Sequence, residues 1–280
     1  MPSVLSSRLG VKIPSHPILG RARLMARFAR FSLQSLRAGH FDFFFNAWKA
    51  EARLILLGVL DLLPLRREVE CNFCGWKGAR AFYPNTGPGY HERNTICPGC
   101  QCQDRHRSLV FFLVERFDFF QPGKRVIEVA PMRGLGRFFR SLPGLDYTSF
   151  DLERQAMEKG DITAMRYPSG SVDYFLCFHV LEHISNEGEA LSEIRRVLKP
   201  GGWAVLQVPV DGEAETTREY DQPDPREVGH VRRYGRDFAD RIASHGFEVQ
   251  ALSVSSLLPE ADIQRQGLST EAIYFARKPG

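Results

Sequence analysis

Four cysteines stand in two matched pairs, Cys71-Asn-Phe-Cys74-Gly and, 22 residues later, Cys97-Pro-Gly-Cys100. A CxxC turn sets two thiolates on one side of a tight loop. Two such knuckles close a tetrahedron around zinc, with Zn–S bonds of about 2.3 Å. Four thiolates leave no open coordination position, so a Zn2+ held there is structural. Cys102 is a spare, and His91 or His106 can substitute, which leaves the fourth ligand less defined than the first three. A second group of residues is acidic. In VIEVAPMRGLG (126–136) a hydrophobic strand ends in Glu128, turns, and reaches Gly134 and Gly136. Asp151 follows 23 residues after Glu128, at the end of the next strand, where an acid accepts hydrogen bonds from both ribose hydroxyls and repels a 2′-phosphate. In Gly160-Asp161-Ile162 an acid can receive an adenine amino group and an isoleucine can cover the ring. Ala130, Pro131 and Met132 stand where a dinucleotide loop has glycines, so no pyrophosphate can lie against that backbone.

Those acids need strand ends to carry them. The expected strands are 125–130, 147–152, 172–178, 202–210, 247–255 and 271–278, with helices such as 189–198 and 237–246, the latter closed by Gly246. Alternation with short Gly/Pro connections predicts a doubly wound α/β fold, a mostly parallel sheet covered on both faces. Ligands bind such a sheet outside the carboxyl ends of its strands. The last two strands have only a loop of about 15 residues between them and no clear helix, which suits an antiparallel hairpin at the sheet edge.

The chain divides into a basic helical segment (1–66), a zinc ribbon (67–108) and the α/β domain (109–280). Its net charge of +4 is uneven: residues 1–70 hold 11 Lys/Arg against 5 Asp/Glu, and the remainder 26 against 28. Residues 17–63 read as two helices. In the first, Arg23, Arg27, Arg30 and Arg37 share one stripe, with Leu24, Met25, Phe28, Phe31 and Leu36 opposite. Such a helix suits an anionic membrane surface, so peripheral membrane contact through residues 17–37 is expected, with Leu24, Phe28 and Phe31 inserting. The alternative is that its apolar face packs on the protein itself. No apolar run reaches eighteen residues, and the longest, 54–65, is broken by Asp61 and Pro64. With no secretory signal pattern and with metal-type cysteine spacing, a cytoplasmic location is expected.

With SVDYFLCFHVLEHI (171–184) and EIRRVLKPGGWAVLQVPV (193–210) in place, residues from about 120 to 280 resemble class I S-adenosylmethionine-dependent methyltransferases of the type-11-like group. The resemblance implies a seven-stranded sheet of order 3-2-1-4-5-7-6 with the last strand antiparallel. It implies that Glu128 anchors the methionine end of the cofactor, that Asp151 holds the ribose, and that Asp161 meets the adenine. Cys177, Phe178 and His179 would lie against the methionine moiety. Its cofactor side is then Glu128, Ala130, Met132, Gly134, Asp151, Leu152, Asp161, Ile162, Phe178 and His179. S-adenosylmethionine carries no phosphate, so the bulkier Ala130-Pro131-Met132 loop is admissible. Lys199-Pro200-Gly201-Gly202 is expected to be a structural turn.

Methyl transfer from a sulfonium needs orientation and a dry site, and a base only where the acceptor is protonated. His179, His183 and His230 are candidate bases, His183 being more in the style of a helix-start packing residue. The acidic insert 211–225 precedes GHVRRYG (229–235), and an insert at this point of the fold covers the acceptor pocket. His230, Arg232 and Tyr234 are therefore the acceptor-side candidates, with His179, His230 and Tyr234 expected to be catalytic. A small-molecule, glycan or lipid-linked acceptor is favoured over RNA, because the body is not basic and the acidic insert repels phosphate. An RNA base methyltransferase gripping RNA through its ribbon and a non-catalytic scaffold are the alternatives.

Overall fold

Apolar and small residues at helical spacing make residues 17–60 two antiparallel helices, α1 (Pro17–Arg37) and α2 (Phe41–Leu60). The computed structural model describes residues 15–87, 90–153, 156–224, 227 and 229–280. α1 buries Gly20, Leu24, Phe28, Ser32 and Ser35, and α2 buries Ala47, Ala50, Leu54 and Leu57. This corrects the expected apolar stripe and overturns the expected membrane insertion of Leu24 and Phe28, which pack on the protein itself. Leu24 and Phe28 are buried and Phe31 is half-buried, whereas Met25 and Leu36 stay exposed together with Ile18, Leu19 and Leu33. The small residues on both faces let the helices approach closely, and that contact selects which apolar residues are covered.

A pair of short antiparallel ladders follows. β1 (Val69–Glu70) pairs with β2 (Lys77–Gly78) around the first knuckle, and β3 (Tyr83–Gly87) with β4 (Tyr90–Ile96) before the second. Helix α3 (Asp104–Glu115) starts just after it. Residues 254–271, including helix Glu260–Gln266, belong to the same compact unit as residues up to Phe117. The tie is Arg107, wholly buried. Its guanidinium stacks 3.9 Å over the Phe82 ring and donates to the carbonyls of Thr95, Cys102, Gln266 and Gly267.

The second unit, 118–253 with 272–280, is the sheet domain. Its elements are β5 (Arg125–Val129), α4 (Arg133–Ser141), β6 (Asp146–Asp151), β7 (Glu158–Lys159), β8 (Val172–Phe178) and a 3-10 turn at Leu181–His183. Then come α5 (Glu187–Val197), β9 (Leu198–Gln207), the ribbon β10 (Arg218–Asp224) and β11 (His230–Arg233), α6 (Phe238–Ala243), β12 (Glu248–Leu252) and β13 (Ile273–Arg277). The sheet order is β7-β6-β5-β8-β9-β13-β12, and β13 runs antiparallel to both its neighbours. That is the expected 3-2-1-4-5-7-6 arrangement. The last two strands are not joined by a plain loop: helix Glu260–Gln266 lies between them, hidden from sequence because Ile263 is its single buried residue.

The central strands are buried on both faces, which is why β8 reads as a continuous apolar run. Helix α5 is capped by Asn186, whose side chain accepts from Glu189 N–H at 3.2 Å. Glu187 and Glu189 in its first turn and Arg195 and Arg196 in its last complement the helix dipole. Lys199–Gly202, expected as a turn, instead forms the start of β9, and Gly202 is crowded by three carbonyls at 3.0–3.1 Å from where a Cβ would sit, so a side chain there would push the backbone apart.

Candidate active site

The Cys71, Cys74, Cys97 and Cys100 sulfurs all lie within 4.8 Å of one another. Cys71–Cys100 is 3.8 Å and Cys74–Cys97 is 3.6 Å. A tetrahedron with 2.3 Å bonds requires edges of about 3.8 Å, so the residues fit zinc. Burial pushes the Cys97 and Cys100 thiols up, and a cation is what would offset four clustered thiolates, three of them buried. The fourth member is Cys100. Cys102 instead offers its carbonyl to Cys97 N–H and Arg107, and His106 caps α3 by accepting from Gln103 N–H. The side chain of His91 lies outside the described residues.

At the carboxyl end of β5, Glu128 is fully buried. Oε1 accepts from Met132 N–H at 2.9 Å and Oε2 from the Tyr147 hydroxyl, so this acid fixes the 130–132 loop. Burial raises its carboxyl to about 7, against the lowering effect of those two donors. Tyr147 was not visible as a site residue in the sequence. Its hydroxyl fits because Gly136 has no side chain: a Cβ there would meet it at 2.8 Å. Gly134 lies in the first turn of α4.

Asp151 closes β6, only 8% exposed, and its Oδ1 accepts from Glu153 N–H at 2.8 Å. Leu152 beside it is 59% exposed, a large apolar side chain open at a strand end. Asp161 Oδ1 holds the Thr163 N–H and hydroxyl, both at 2.8 Å, while Ile162 is in the core cluster. Ala130 and His179 end the neighbouring strands β5 and β8 with φ of +50° and +53°, a left-handed conformation that non-glycine residues adopt only under constraint.

Beyond β8, Phe178 is buried and His179 partly open. The structure brings His179, Glu182, His183 and His230 together. His179 Nδ1 is 3.3 Å from Glu182 Oε1, and the His183 and His230 rings meet edge to face at 4.8 Å. Burial lowers the His230 pKa, which keeps the ring neutral. Arg232 is not open to an acceptor. Its guanidinium is buried and donates to the carbonyls of Leu181 (2.8 Å), Ile184 (2.6 Å) and Ser185 (3.0 Å), while Nε pairs with Glu219. It staples the Leu181–His183 turn to β11. Tyr234 is likewise fully buried, donating to Glu187 Oε1 at 2.7 Å, and Arg241 holds the other Glu187 oxygen. Both support the site from beneath. Glu182, invisible as a site residue in sequence, is 1% exposed.

A family model described as "Methyltransferase domain" matches residues 103–252. The chain belongs to that family. The chain is 27% identical over 166 residues to a protein of Mycolicibacterium smegmatis named a probable S-adenosylmethionine-dependent methyltransferase, covering 54% of this chain and 63% of that one. Over 90 residues it is 39% identical to an uncharacterized 37.1 kDa protein in a transposon of Streptomyces fradiae, covering 32% and 24% respectively. The chain thus spans less than two thirds of either relative. Among solved structures, the [4+2]-cyclase SpnF has a TM-score of 0.45 at 18% identity, covering 62% of this chain and 82% of its own.

Proposed function

We propose that this methyltransferase binds S-adenosylmethionine across the carboxyl ends of β5, β6 and β8 and methylates a small-molecule or lipid-linked acceptor. Asp151 carries this reading: a carboxylate at the end of β6, beside the open Leu152, suits a ribose under a covered adenine. The loop Ala130–Met132, pinned by Glu128, takes the amino-acid end. When bound, the cofactor supplies an electrophilic methyl on a sulfonium. His179, at the end of β8, takes the proton of a hydroxyl or amine acceptor, with Glu182 3.3 Å behind its Nδ1. His230 on the ribbon faces the same space, whereas Tyr234 keeps a supporting role. Four thiolates hold a structural zinc.

Asp151→Ala should weaken S-adenosylmethionine binding at least tenfold in calorimetry, since two charge-assisted bonds are lost, with little change in melting temperature. Unchanged affinity removes the ribose assignment.

The helical hairpin supports a membrane-borne acceptor. Ile18, Met25, Leu33 and Leu36 share one exposed arc of α1, and Arg23, Arg30 and Arg37 border it with no acid on the helix. On α2, Phe41, Phe45, Trp48, Ile55 and Val59 recur every three to seven residues on the face opposite its buried one. Arginines beside an apolar arc complement anionic headgroups, whereas a second copy would bring like charges together. Co-sedimentation with anionic vesicles should fall with salt. Replacing the three arginines by glutamine should weaken it by roughly two orders of magnitude, at about 1 kcal/mol per charge. Equal binding to neutral vesicles, or salt-sensitive binding to RNA alone, overturns this.

A further inference from the structure

Glu182 presents a problem that methyl transfer does not solve. Its carboxylate is buried, and among the described residues neither oxygen accepts a hydrogen bond; the His179 ring, 3.3 Å from Oε1, offsets its charge only when protonated. A buried carboxylate without hydrogen bonds is costly, and native structures retain one where something else satisfies it. The Nε2 of His179 is also buried and, among the described residues, without a hydrogen-bond partner. Besides His179 Nδ1, two further ring nitrogens stand near Glu182: one from His183 and one from His230 lie with a Glu182 oxygen so that all three are within 4.8 Å of one another.

Two imidazoles and one carboxylate around a common centre are a ligand set for a divalent transition metal. With bonds of about 2.0–2.2 Å, ligand atoms lie about 3–4 Å apart, so the three need to close in by only an ångström or so. The frame is built to hold them. Glu182 and His183 sit on one turn, His230 on a strand 47 residues onward, and the Arg232 staple joins the two through three backbone carbonyls. The charge of that buried cation is offset by Glu219.

We propose that Glu182, His183 and His230 form a divalent transition-metal site, separate from the four-cysteine cluster, with open positions toward the acceptor. The donor set suits Zn2+, Co2+, Mn2+ or Fe2+ and not Mg2+ or Ca2+, which prefer all-oxygen ligands. Three protein ligands leave room for an oxygen donor, so the acceptor class becomes a hydroxyl or carboxylate compound that can bind the ion. That last step rests on the methyltransferase reading, while the metal site does not.

The test uses the full chain with its cysteine cluster loaded with zinc, titrated with Co2+ by calorimetry and visible absorption. One cobalt per chain should bind with weak ligand-field bands and no thiolate charge-transfer band. The combination His183→Ala with His230→Ala should weaken uptake by at least about 100-fold, with zinc content and melting unchanged. Glu182→Gln should do the same, which covers the case of a misfolded histidine variant. Asp151→Ala should bind cobalt normally while losing S-adenosylmethionine, so the two readings fail separately. No cobalt uptake, uptake only with a thiolate band, or undiminished uptake in the histidine variant overturns the site.

Discussion

The double substitution Cys74→Ser with Cys97→Ser should abolish bound zinc and dismantle the ribbon, the largest stability loss of any change considered. Structural zinc contributes apparent free energies of about 10–16 kcal/mol near neutral pH, more than the unit can lose and stay folded. Elemental analysis should find about one structural zinc per chain in the parent and none in the variant, and limited proteolysis should then cut between residues 67 and 115. The cluster draws one cysteine pair from each end of the β1–β4 ladders, so it closes the loop of 22 residues between them. Full retention of zinc by the variant would remove the site. Cys102→Ser should keep the metal, because that residue contributes its carbonyl and not its thiolate.

Arg107→Ala should be the most damaging single change outside the cysteines. Four carbonyls lose a charged donor together, and each one left unpaired in a buried place costs about 1–3 kcal/mol. A loss of about 4 kcal/mol, read as a melting temperature lower by about 10 °C, is expected. Arg107→Lys should recover little, because a single ammonium cannot serve four carbonyls at once nor stack on the Phe82 ring. A change below about 1 kcal/mol in denaturant unfolding would show that water replaces the guanidinium.

What the sequence displayed and what it hid divide along a physical line. Local pattern was legible: Val172–Phe178 announces a central strand by composition, and the two CxxC knuckles announce a metal by spacing. The sheet order followed from the family resemblance carried by "VLEH" and "KPGG". Partners distant in sequence were not legible. Tyr147 serves Glu128 across a space left by Gly136, and Arg232, whose motif suggests an acceptor, instead donates to carbonyls about fifty residues back. The apolar stripe of α1 was misdivided for the same reason: which of Leu24 and Met25 is covered depends on where α2 lies, and one helix cannot tell. Helix Glu260–Gln266 was missed because a seven-residue helix with one buried side chain carries almost no periodicity.

The chain passes from β12 into residues 254–271 and comes back as β13, which enters the sheet between two strands made before it. During synthesis, then, neither unit can be finished early. The ribbon unit waits for Gln266 and Gly267, the acceptors of Arg107, and the sheet waits for Ile273–Arg277 to fill the gap beside β9. Both contacts span large sequence separations and close late. A stop codon or protease cut after Leu252 would therefore strip both units at once, leaving Arg107 short of two carbonyls and the β9 edge unpaired. Residues 254–280 work as a common latch, supplying contacts that each unit needs.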